Sequence, residues 1–196
     1  MVRRFWIGIL LAGFAIVLSA LPANAQEYFA KLSGFQEVGG LGAGETGAIL
    51  SPGSASVKLV LEKNAQTLTY TLTYTGLVNV LQSHIHFGKE HVAGGIMVFF
   101  CSNLGNGPAG TPLCPDDTGT TVTVTGTITA ASVVGPAAQG VTADDFAVVM
   151  AALESDTAYA NIHTKAFPAG EIRGQVHAAR HRDNDNGQGE DHESGR

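Results

Sequence analysis

QTLTYTLTYT, from Gln66 to Thr75, is the stretch that decides the fold class. Leu68, Tyr70, Leu72 and Tyr74 alternate with Thr69, Thr71 and Thr73. Successive residues of an extended chain point to opposite faces, so this is a strand with one apolar and one half-solvated face. Ser56 to Leu61 reads as the other arm of a hairpin, turning at Glu62-Lys63-Asn64-Ala65. Further strands are expected at Tyr28 to Phe35, Val80 to Phe87, Gly95 to Cys101 and Thr120 to Thr129. Tyr159 to Thr164 and Glu171 to Val176 close the series, joined by Lys165-Ala166-Phe167-Pro168-Ala169-Gly170. One helix interrupts it. Thr142 is its expected cap, with Asp145 three residues on, and Phe146, Val149, Met150 and Leu153 recur at helical spacing. Many short strands with one short helix predict an all-β fold, an antiparallel β-sandwich of Greek-key type.

The ends of the chain differ in composition from this middle. Arg3 and Arg4 precede an apolar run, Phe5 to Leu21, and Ala23-Asn24-Ala25 follows Pro22. This is the pattern of a cleaved export signal over residues 1–25. An uncleaved anchor is the alternative, but the run falls short of the roughly 20 apolar residues that span a bilayer. Residues 178–196 contain no large apolar side chain and are expected to form a disordered polar tail. Residues 26–177 between them suffice for one domain. No membrane span is expected once the signal is removed. The net charge is −6, with no basic patch, which excludes nucleic acid as a partner. An exported location, periplasmic or secreted, points instead to an extracytoplasmic protein or surface as partner.

Cys101 and Cys114 are the only cysteines. In an oxidising compartment such a pair reads as a disulfide closing a Gly/Pro-rich loop, worth about 3 kcal/mol. Thiolate metal ligation is the alternative, without the usual CxxC spacing. Gly42-Ala43-Gly44-Glu45-Thr46-Gly47 is a formal GxGxxG. No strand runs into it and no helix follows, so it lacks the helix N-terminus that a pyrophosphate needs. No nucleophile elbow or close carboxylate pair supports hydrolase chemistry.

Histidine is the residue type that carries candidate chemistry. His84 and His86 in HIHFG share one strand face, and His163 lies on another expected strand. Three neutral imidazoles suit copper or zinc, with an open fourth position for water. His91, just past HIHFG, is a candidate fourth ligand. Glu171 and Arg173 share a face as well and are expected to contribute a structural ion pair, within the strand or with another. For each histidine the plain alternative is a structural role, tying strands together by hydrogen bonds.

FAKLSGFQEV (Phe29 to Val38), HIHFG (His84 to Gly88) and NIHTKAFPAGEIRGQV (Asn161 to Val176) together resemble the CHRD domain, the module first described in chordin and common in exported bacterial proteins. Gly39-Gly40 departs from the family's usual proline pair and implies a looser first loop. The resemblance covers about Tyr28 to His177 and implies an exported β-sandwich without a defined enzymatic activity. The first expectation is therefore a binding or structural module. The second is a copper- or zinc-binding redox protein, because HIHFG also resembles the copper strand of Cu/Zn superoxide dismutases. The histidine-rich second-metal loop of those enzymes has no counterpart after His91. An adhesion or matrix role is a third.

Overall fold

The computed structural model describes residues 26–38, 47–62, 66–116 and 119–179. The expected export signal, most of the GxGxxG, the tip of the first hairpin and nearly all of the expected tail lie outside the described residues. The strands are β1 (Gln26–Ser33), β2 (Ser54–Glu62), β3 (Thr67–Thr75), β4 (Val80–Phe87), β5 (Gly95–Ser102), β6 (Val122–Ile128), β7 (Ala158–Thr164), β8 (Ile172–Gln175) and β9 (His177–Ala178). The one α-helix among the described residues, α1, spans Phe146–Glu154. The fold is all-β and antiparallel, as the alternation in β3 predicts.

All the strands belong to one sheet of order β5-β4-β7-β8-β1-β2-β3-β6, with β9 paired to β1. The segment after β6 returns to β5 through a Val98–Val133 bridge, and Val134 N–H donates to the Met97 carbonyl. The sandwich is thus a single sheet that curls until its ends nearly meet. Tyr70 reaches across the interior from β3 to donate its hydroxyl to Phe100 O on β5. Tyr74 donates to Pro115 O in the same manner. Tyr28, Leu59, Leu68, Leu72, Ile85, Phe100 and Ile162 are completely buried in the core. Each contributes about 1.5–3 kcal/mol by leaving water.

Two local departures from the expected elements have clear causes. The opening strand stops at Ser33, and Gly34 begins a short 3₁₀ turn. Gly34 O accepts from Ile49 N–H at 2.7 Å, and a β-carbon there would lie 2.1 Å from Ile49 O, so only glycine allows this approach. The helix is capped by Asp145, which accepts from Val148 N–H, rather than by Thr142. Asp144 has φ +64°, and this left-handed turn places Thr142 before the helix axis begins.

The site depends on a third departure. Every residue of β7 is buried. Ala160 and Ile162 face the core, which leaves Tyr159, Asn161 and His163 on the opposite face. Loops 34–38, 47–53, 88–94 and 165–170 supply contacts that cover that face.

Candidate metal centre

β4 and β7 run antiparallel with His84 opposite Asn161 and Gln82 opposite His163. This register puts His163 diagonally beside His84. His86, two residues along β4, falls on the same face. The His84 ring centroid lies 5.2 Å from that of His86 and 5.0 Å from that of His163. One ring nitrogen from each of the three falls within 4.8 Å of the others. The residues are 0%, 7% and 7% exposed.

Two of the rings are oriented by backbone carbonyls. His86 Nδ1 lies 2.9 Å from Gly94 O, and His163 Nδ1 lies 3.0 Å from Pro168 O. A carbonyl only accepts, so each Nδ1 carries the proton and each Nε2 keeps its lone pair. Both Nε2 atoms are buried without a hydrogen-bond partner, and so are both nitrogens of His84. Metal-binding histidines are held in this manner, with the far nitrogen tied to a carbonyl.

Burial keeps the rings neutral. It pushes the pKa of His84 down to about 2, with the neighbouring His163 and His86 adding to the shift. Burial lowers His86 to about 4, against the upward pull of Gly94 O and with further lowering from His163 and Arg173. His163 is lowered by burial too, opposed by Pro168 O and by the Glu37 charge. A neutral imidazole is the form that binds a metal.

Aromatic rings wall the cluster. Phe99 of β5 stands edge-on to His84, with centroids 4.4 Å apart. Tyr159 stacks parallel on His86 at 4.7 Å. The Arg173 guanidinium lies 3.4 Å from the Tyr159 ring centroid and donates to Lys89 O. A family model described as the CHRD domain matches residues 28–176. The chain belongs to the CHRD family. No curated protein and no solved structure matches it.

The triad of this CHRD domain unites two of its sequence motifs, HIHFG and the stretch beginning at Asn161. Other candidate residues take different places. His91 stays out of the cluster: its side chain is 76% exposed and lies near Glu90. It sits in the left-handed region, at φ +61°, in a loop whose Gly88, Lys89 and Gly94 carbonyls turn inward instead. Glu171 and Arg173 share a face but do not pair with each other. Glu171 accepts from Ser51 Oγ at 2.6 Å and from Thr164 Oγ1 at 2.5 Å, while Arg173 takes the Tyr159 ring and Lys89 O. Both are buried, and each finds partners on the covering loops. Cys101 and Cys114 form a disulfide that pins the loop between β5 and β6. Asn103 braces that loop, donating to Val80 O and Cys114 O.

Sequence reasoning missed Tyr159, Phe99 and Glu37. Tyr159 and Asn161 carried a usable signal, since both share the period-two face of His163. Glu37 did not, because its contact with Asn161 joins residues 124 apart in sequence. Among the described residues no helix is long and apolar enough to cross a membrane.

Proposed function

We propose that this chain is an exported CHRD module that binds one copper or zinc ion at His84, His86 and His163, and that it works as a binding protein rather than an enzyme. The supporting observations are that each of the three buried histidines has a ring nitrogen within 4.8 Å of the others and that four of their nitrogens have no hydrogen-bond partner. A buried polar atom left unpaired costs about 1–3 kcal/mol, and several in one cluster call for a shared ligand. Export is supported by the signal-like residues 1–25 and by the disulfide. The likeness to superoxide dismutase gains no support from the site, whose free nitrogens are buried.

The experiment is metal analysis of the untagged protein after loading with copper or zinc and desalting, alongside His84→Ala. One ion per chain, lost in the variant, is expected. A well-folded wild-type protein that retains neither metal would make the histidines structural.

A second property favours a partner surface. Phe35, Leu50, Val78, Leu104 and Leu113 are all at least half exposed. All five lie on loops that follow β1, β3 or β5, and these strands run the same way and end at one edge of the sheet. Exposed apolar side chains gathered at one end of a fold suit contact with another protein. Concentration-dependent association, weakened by Leu50→Ser with Leu113→Ser in sedimentation velocity, is the expected sign. Identical sedimentation of wild type and variant at every concentration would remove this reading.

A further inference from the structure

We infer that the ion suited to the triad is monovalent copper, bound by three imidazoles alone, and not a divalent ion with a water ligand. This inference rests on the metal reading above and specifies its chemistry.

Ligand number is the first argument. Among the described residues the cluster holds three histidines and no carboxylate or thiolate. Structural zinc is almost always four-coordinate, and divalent copper favours tetragonal surroundings. Each needs a fourth ligand, and in an open site water supplies it. Here the four unpartnered ring nitrogens are buried, Phe99 closes over His84, and Tyr159 covers His86. His91, the nearest spare imidazole in sequence, faces solvent. A filled-shell monovalent ion has no need of a fourth ligand.

Charge is the second argument. All three ligands are neutral. Among the described residues, the fixed charges that bear on them are the Arg173 cation, acting on His86, and the Glu37 carboxylate, acting on His163. These oppose each other, so little negative charge is left to offset a buried ion. The self-energy of an ion in a low-dielectric interior grows with the square of its charge, so a divalent ion costs about four times as much as a monovalent one. Arg173 is held beside the cluster by the Tyr159 ring and Lys89 O, which keeps its positive charge near the ion.

The test is a ranking of affinities on the wild-type protein, which requires no variant to fold. The untagged, metal-stripped protein is titrated anaerobically with Cu⁺ against a chromophoric Cu⁺ chelator. Parallel titrations use Zn²⁺ and Cu²⁺ against competitors of known affinity. Affinity for Cu⁺ is expected to exceed that for either divalent ion by on the order of a hundredfold. Copper-loaded protein is also expected to stay silent in electron paramagnetic resonance after exposure to air. Tighter binding of Zn²⁺ or Cu²⁺ overturns the cuprous assignment and leaves the metal site standing. Absence of binding by all three ions overturns both.

Discussion

Acid should unfold the metal-free protein far more readily than its carboxylates alone would explain. His84 and His86 have pKa values near 2 and 4 in the folded chain, against 6.5 for a free imidazole. The folded state therefore binds fewer protons than the unfolded state below pH 6.5. The stability tied to these groups is present above that pH. It is lost as pH falls, down to about pH 4 for His86 and about pH 2 for His84. Between 6.5 and pH 5 the unfolded chain takes up both protons over about 1.5 pH units. At about 1.4 kcal/mol per unit this is roughly 2 kcal/mol for each histidine and 4 kcal/mol together. His163, whose pKa is lowered as well, adds in the same direction. Urea unfolding followed by circular dichroism, with the disulfide intact, reads the effect directly. With a denaturant slope of about 2 kcal/mol per molar, the midpoint should drop by about 2 M between pH 7 and pH 5. His84→Leu should remove about half of that dependence, if it folds. Equal midpoints at the two pH values would refute the argument, as would a variant that keeps the full dependence.

Other perturbations test the frame around the site. Replacing both Cys101 and Cys114 by alanine opens a loop with a sequence separation of 13 and should cost about 3 kcal/mol in the same urea assay. Gly170 has φ +135°, and a β-carbon there would lie 2.6 Å from Glu37 Oε2 and 2.9 Å from Asn161 Nδ2. Gly170→Ala should therefore destabilise the protein by about 1–3 kcal/mol and weaken metal retention by displacing the loop that carries Pro168, both measured on the same preparation.

The strand content is legible in the sequence because alternation is a local property. The period of two in Leu68, Tyr70, Leu72 and Tyr74 appears unchanged as the buried face of β3. The shared face of His84 and His86 follows from the same geometry. The pairing of Cys101 with Cys114 is legible because the sequence has two cysteines and the structure joins them. Helix capping is less legible, because Thr142 and Asp145 are both acceptable caps and the left-handed Asp144 between them decides.

Sequence by itself thus determined which residues face together along each strand, and through its motifs the family. Tertiary structure alone decided what covers each face. Strand order placed β7 between β4 and β8, and that register brought His163 to His84. Loops from distant parts of the chain then buried a polar face that alternation alone would leave in water. They drew Glu171 and Arg173 to separate partners and left His91 outside. The physical reason is range: alternation acts between neighbours in the chain, whereas burial and hydrogen-bond partnership depend on segments up to 124 residues apart.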